Sequence, residues 1–133
     1  MKQPIDIKTN EDGTIVIKFI GDLLEADIDA FKASVDMGKV IIKKICDQQK
    51  RKVRILLDVQ EFSGKYCGEA VDVLAHFAKD NKEYVEKTAS FGGSANTRSV
   101  GEMITMLSER ENIQVFETEK EALEWLKESK AAL

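Results

Sequence analysis

Val53-Arg54-Ile55-Leu56-Leu57-Asp58 is a short apolar run bounded by charge, with Lys52 before it and Asp58 closing it. Its apolar residues do not alternate strictly with polar ones, which suits a strand covered on both faces better than a half-exposed one. We read it as the central strand of a sheet. Downstream, a loop is expected from Val59 to about Lys65, after which Ala70, Val73, Leu74, Phe77 and Ala78 recur at helical spacing. Thr88-Ala89-Ser90-Phe91 reads as a third core strand ending in Gly92-Gly93, and Val100, Met103, Ile104 and Leu107 form another helical stripe. Ile113, Val115 and Phe116 make a last short strand. Thr118-Glu119-Lys120-Glu121 then has the spacing of a capping box, ahead of a closing helix with Ala122, Trp125 and Leu126 on its apolar face.

Upstream, Ile5, Ile7, Ile15, Ile17 and Phe19 alternate with polar residues on either side of the turn-forming Asn10-Glu11-Asp12-Gly13, the pattern of a β-hairpin. From about Glu25 to Gln49 the period becomes helical, with Ile28, Phe31, Val35, Ile42 and Ile45 on one stripe. Gly38 lies on that stripe and marks close packing, a kink or a break between two helices, because a mid-helix glycine costs about 1 kcal/mol relative to alanine. Strands that alternate with helices imply right-handed parallel crossovers. The expected fold class is therefore α/β: a single mixed, mostly parallel sheet of about five strands, with an N-terminal β-hairpin and about four helices. One domain over 1–133 is expected, since no linker or repeat divides the chain.

The 133 residues are 43% hydrophobic and 33% charged, an ordinary core under a strongly charged surface, which excludes a disordered chain. No apolar run approaches the roughly 18 residues of a membrane span, and Met1-Lys2-Gln3-Pro4 is not followed by a signal-like segment, so a cytoplasmic protein without a membrane span is expected. The net charge is −4, and the one basic cluster, Lys50-Arg51-Lys52-Val53-Arg54, is too short to argue for nucleic acid. Cys46, Cys67 and His76 are too few and too scattered for a zinc site, and no cofactor is expected.

Three stretches carry a family resemblance. Phe19-Ile20-Gly21-Asp22-Leu23, Ile55-Leu56-Leu57-Asp58-Val59 and the segment from Val115 to Leu126 (VFETEKEALEWL) look like landmarks of the STAS fold. That family comprises bacterial anti-sigma-factor antagonists and the cytoplasmic tails of sulfate transporters. The last stretch resembles the ending of a sister group, small STAS-like proteins grouped with CRAL-TRIO lipid carriers. The resemblance implies a non-enzymatic regulatory or scaffolding module that binds a protein partner through the loop after the central strand and the following helix. The implied partner is a kinase, a sigma-regulatory or transporter component, or a second copy of the chain. The kinship with lipid carriers implies the alternative, a carrier or sensor of a lipid-like or other small amphiphilic ligand. One departure stands out: where phosphorylated members read Asp-Ser-Ser-Gly or Asp-Ser-Thr-Gly, this chain reads Lys65-Tyr66-Cys67-Gly68. Ser63 is then the alternative acceptor, against the plainer role of a turn residue beside Gly64.

In open α/β sheets, ligands and partners meet the loops at the carboxyl ends of the strands. That rule, with the resemblance, assembles a partner-binding and switch set of Asp22, Asp58, Phe62, Ser63, Gly64, Tyr66 and Cys67. Gly92, Gly93, Ser94, Asn96 and Arg98 offer backbone donors, hydroxyls and a guanidinium near a helix start, a candidate anion or ligand contact. The competing account is a tight Gly-Gly turn with Asn96 or Thr97 capping the next helix. Phe62, Tyr66 and Tyr84 are further candidates to line an opening at this edge.

Cys67 near a helix start suggests a reactive thiol, but His76 lies nine residues on, about 13 Å along the helix and beyond hydrogen-bond reach, so packing against the sheet is the expected role. No complete nucleophile, metal or acid/base set emerges, and no catalytic residue is assigned. Met103, Met106 and Leu107 widen their helix's apolar face. Such a face binds a partner helix, a second copy or an acyl chain with Arg98 at its head group, or else marks a helix buried more deeply than its neighbours.

Overall fold

The fold follows from how each apolar period is satisfied in the computed structural model, which describes residues 5–128. Met1–Pro4, examined above for a targeting segment, lie outside them. The N-terminal alternation becomes the antiparallel pair β1 (Ile5–Thr9) and β2 (Ile15–Leu23), with Ile7 opposite Ile17. Their turn is held by Asp12, whose carboxylate accepts from the Thr14 N–H at 3.0 Å and is thereby kept below the ordinary carboxylate pKa. One 3-10 turn at Glu25–Asp27 precedes α1 (Ile28–Gln49), so the α-helix proper starts three residues later than its stripe suggests.

Helix α1 runs unbroken through Gly38, and close packing is the reason for the glycine. A Cβ there would sit 3.3 Å from the Ile7 side chain and 3.5 Å from Phe77. The helix stops at Lys50, which takes the left-handed conformation at φ 54°. The chain continues through β3 (Val53–Tyr66), α2 (Gly68–Asp80), β4 (Val85–Phe91), α3 (Ala95–Ser108), β5 (Ile113–Phe116) and α4 (Glu119–Lys127). The sheet order is β1-β2-β3-β4-β5, antiparallel only between β1 and β2. This is the mixed, mostly parallel five-stranded sheet with an N-terminal hairpin and four helices expected from the sequence.

Because every crossover steps in one direction with one hand, α1, α2 and α3 lie side by side on one face, and α4 covers β3, β4 and β5 on the other. The larger core lies beneath the three helices, where Ile15, Phe31, Ile42, Val53 and Val85 are at most 1% exposed. Burying an aliphatic or aromatic side chain of this size stabilises by about 1.5–3 kcal/mol. The smaller core joins Leu56, Ala89 and Phe91 to Ala122 and Leu126 of α4. Helix α4 starts at Thr118, whose Oγ1 accepts from the Glu121 N–H at 3.2 Å. The Glu121 carboxylate accepts from the Thr118 hydroxyl at 3.1 Å, so the carboxylate meets the side chain rather than the backbone donor of a full capping box. Trp125 anchors this helix against Phe116, ring centroids 5.7 Å apart.

The largest departure from the sequence reading is β3. The expected loop from Val59 to Lys65 is strand: β3 leaves β4 after the Asp58–Phe91 pair but continues beside β2, with Gly21 opposite Phe62 and Leu23 opposite Tyr66. Phe62 and Tyr66 turn toward the core while Glu61, Ser63 and Lys65 face solvent. Ser63-Gly64-Lys65 lie opposite the single residue Asp22, and the two extra residues are absorbed in a bulge at which Gly64 has φ 88°. Strand β4, expected over Thr88–Phe91, is also longer than expected, beginning at Val85.

Candidate functional site

Since β2, β3 and β4 are parallel and each is followed by a helix on the same face, their carboxyl ends and the N-termini of α1, α2 and α3 gather at one edge. Aligned peptide dipoles leave partial positive charge there. Asp29 and Glu69 in the first turns of α1 and α2 offset part of it, Glu69 also pairing with Lys32.

The residues singled out from the sequence do meet at this edge. Asp22, half-buried, lies in the end of β2, where the Leu23 carbonyl accepts from the Cys67 N–H at 2.8 Å and ties β2 to the start of α2. The Asp58 carboxylate accepts from the Gln60 N–H at 3.0 Å, bracing the point where β3 parts from β4. Just beyond, Glu61 pairs with Lys18 at 3.1 Å and raises the lysine pKa. Ser63 is exposed at the bulge, and its Oγ accepts from the Lys65 N–H at 3.0 Å, a side-chain-stabilised turn that leaves the hydroxyl proton free for another acceptor. The bulge rests on α3, with Asn96 Nδ2 donating to the Gly64 carbonyl at 3.4 Å.

The second group of candidates lies against the first. Gly92 and Gly93 have φ 86° and 78°, and they bring the turn so close to β3 that a Cβ on Gly92 would be 2.6 Å from Gln60 Cγ. The cap of α3 is Ser94, whose Oγ accepts from the Thr97 N–H at 3.2 Å; the expected capping by Asn96 or Thr97 does not occur. The serine lies two positions ahead of Asn96 and meets the free N–H at the third helical position with its short side chain. The Arg98 guanidinium folds back onto the Gly93 carbonyl at 3.3 Å.

Other expectations need correcting. Tyr84 is at the opposite edge, its carbonyl accepting from the Val53 N–H where β3 and β4 begin. Met103, Met106 and Leu107 do not belong to a deeply buried helix: they are 39%, 79% and 53% exposed. Val100, Gly101, Ile104, Thr105 and Ser108 turn inward, which leaves a soft apolar strip outward. Cys67 is half-buried at the N-cap of α2 and packs on the main core, as does Cys46, while His76 is exposed with Nδ1 2.8 Å from the Asp72 carbonyl. The basic cluster at 50–54 is partly engaged, Arg54 by Glu86 at 2.7 Å and Arg51 by the Asp12 carbonyl. No group of three or more metal-ligating side chains occurs among the described residues.

A separate feature lies inside the molecule, between the sheet and helices α2 and α3. A cavity of about 70 Å³ is walled by Phe19, Leu57, Leu74, Phe77, Ile104 and Val115. It becomes polar toward Asn81, Thr88 and Arg110. Nothing in the spacing of residues 81 or 110 announces this.

The SpoIIAA-like family model matches residues 14–127, spanning everything from the turn of the hairpin through α4. The chain belongs to the SpoIIAA-like family. Solved structures of the same fold are distant in sequence. An uncharacterised DUF3478-family protein with a SpoIIAA-like fold from Shewanella loihica PV-4 superposes with a TM-score of 0.61 at 16% identity, covering 92% of this chain and 91% of its own. The anti-sigma factor antagonist SpoIIAA in its unphosphorylated form gives 0.60 at 15% identity, covering 94% and 99%. The protein TM1081 gives 0.58 at 16%, covering 97% and 91%. No curated protein sequence matches. At these identities the likeness speaks for the fold, and the roles of this SpoIIAA-like chain's residues rest on its own geometry. Among the described residues no helix is long and apolar enough to cross a membrane.

Proposed function

We propose that this SpoIIAA-like chain is a regulatory module that acts by docking a protein partner on the edge formed by Asp22, Asp58, Phe62, Ser63, Gly64, Tyr66 and Cys67, flanked by the Gly92–Arg98 turn. The observation that carries this reading is the bulged extension of β3. It projects past β4 while remaining paired with β2, is held by Asn96 and Leu23, and presents Glu61, Ser63 and Lys65 to solvent on a fixed backbone. A surface that is exposed and preorganised loses little conformational entropy on docking. The family supports a protein partner, SpoIIAA itself being an anti-sigma factor antagonist solved in unphosphorylated and phosphorylated forms. Of the partner classes considered, a kinase or a sigma-regulatory component suits an exposed serine at the tip, and Ser63 is the proposed switch. A transporter component or a second copy of the chain is a competing occupant of the same edge.

Affinity capture from the native cell, repeated with Ser63→Asp, Tyr66→Ala and the remote α4 variant Glu124→Lys, tests the surface. One partner lost with both edge variants and kept with the remote one is the expected outcome. A partner held equally by all three sinks the assignment.

A second reading, a carrier or sensor of a small amphiphilic ligand, is favoured by one observation, the apolar cavity beneath α2 and α3. Its head-group residue would then be Arg110, which lines that cavity, rather than Arg98, which does not line it and folds back onto the Gly93 carbonyl.

A further inference from the structure

The cavity contains a cation without a counter-ion. Arg110 is 5% exposed, and its partners are all neutral: Nε donates to Asn112 Oδ1 at 2.9 Å, Nη2 to Thr88 Oγ1 at 3.1 Å and Nη1 to the Ala78 carbonyl at 3.5 Å. None of the ion pairs among the described residues includes it. Five N–H donors with three engaged leave two to spare. Burial pushes its pKa down to about 10, so the group is still cationic at neutral pH. A buried charge without an opposite charge is strongly unfavourable, and chains keep one where something anionic completes it.

A second, independent observation points into the same space. Asn81, at the C-terminal end of α2, is 3% exposed, and its side-chain Nδ2 has no hydrogen-bond partner. An unsatisfied buried donor costs about 1–3 kcal/mol, and natural structures contain few of them. Asn81 and Arg110 line one cavity whose remaining wall is predominantly Phe, Leu, Ile and Val.

We propose that this cavity is a binding site for a short-chain carboxylic acid, with the hydrocarbon tail among Leu57, Leu74, Phe77 and Ile104 and the carboxylate received by Arg110 and the Asn81 amide. The proposal rests on the ligand-carrier reading and deepens it by naming the ligand's class. A carboxylate is the anion that fits, because its two oxygens accept in the plane of a guanidinium fork and leave a lone pair for the asparagine donor. The tail is short because of the volume: about 70 Å³ is roughly half of the 150 Å³ cavity that accommodates benzene in an engineered protein. On its other side the arginine lines an open depression with Lys52, Lys82 and Asn112. Of the carboxylates that line that depression, Glu86 pairs with Arg54 and Glu109 with Lys79, and none of them, Glu111 included, forms an ion pair with Arg110.

The test is a titration of the full chain, followed by amide and side-chain nuclear magnetic resonance, with propanoate and with 1-propanol as a neutral match. Saturable shifts of the Asn81 side-chain amide and the Arg110 Nε–H by propanoate are expected, with 1-propanol binding at least about tenfold more weakly. Asn81→Leu should weaken propanoate about tenfold while leaving 1-propanol unchanged. This variant does not strand the buried arginine and so keeps the test open where Arg110→Met fails to fold. If 1-propanol binds as well as propanoate, carboxylate recognition is overturned and the carrier reading stands. If neither shifts these signals up to about 10 mM, both are overturned at this cavity.

Discussion

At Gly93 the backbone has φ 78°, and an added Cβ would lie 2.8 Å from Thr97 Cγ2 and 3.3 Å from Val59 Cγ2. Those neighbours are a β-branched side chain in the first turn of α3 and another on β3, neither of which can swing away, and Gly92 is hemmed in likewise by Gln60 Cγ at 2.6 Å and the Gln60 backbone nitrogen at 3.3 Å. The glycine pair that read from sequence as a candidate anion cradle thus has a packing task in the structure. Gly93→Ala and Gly92→Ala should each destabilise by about 1–3 kcal/mol, combining left-handed strain with a crowded contact. Urea denaturation of the two variants checks this, and midpoints equal to that of the parent chain would mean that the turn relaxes. Arg110 shows the opposite limit of residue-level reading. Within Glu109-Arg110-Glu111-Asn112 it is indistinguishable from the charged surface around it. Only the left-handed turn at Glu109, φ 59°, sends it back under α2. Asn81 was equally silent, because an asparagine after a helix ordinarily signals no more than a turn.

Among the elements, helices were legible because each has a single apolar stripe and one neighbour to bury it against. The extension of β3 was less so. Glu61-Phe62-Ser63-Gly64-Lys65-Tyr66 alternates outward and inward as a strand should, but Ser, Gly and Lys mask the period and the bulge interrupts it. Helix α4 depends on a residue of another element. Lys87 of β4, 5% exposed, donates from Nζ to the Trp125 and Glu128 carbonyls, each at 2.8 Å, and sits 4.7 Å from the Trp125 ring centroid. It gives the Trp125 carbonyl a second donor beside the Glu128 N–H, satisfies the Glu128 carbonyl and places positive charge at the negative end of the dipole. Lys87→Met should therefore cost about 1–3 kcal/mol, visible as a lower midpoint in Trp125 fluorescence. The exposed Lys127→Met should change it by less than about 0.5 kcal/mol. If the two variants unfold alike, Lys87 does not hold the helix.

For the molecule as a whole, the two cores lie on opposite faces of one sheet and share β3, Val53 and Ile55 belonging to one and Leu56 to the other. We expect the chain to unfold as one cooperative unit, since neither core can be lost without exposing the strand that carries the other. Trp125, the only tryptophan, reports the α4 face, while far-ultraviolet circular dichroism is dominated by α1, α2 and α3. Coincident transitions from the two probes are expected. An earlier loss of the tryptophan signal would show α4 detaching on its own and would refute a single unit.

By itself the sequence determined the element order, the parallel crossovers and hence the edge at which the partner-binding candidates gather. Periodicity and handedness act locally and leave few topologies open. The length of β3, the cap of α3 and the outward turn of Met103, Met106 and Leu107 were decided by the tertiary structure, because each depends on what a neighbouring element covers. The same is true of the unpaired Arg110 beside the orphaned Asn81 amide. Two polar residues 29 positions apart, counting from 81 to 110, become a site only when α2 and the end of α3 are folded over the same strands. Burial then turns an ordinary surface charge into an unmet demand for an anion.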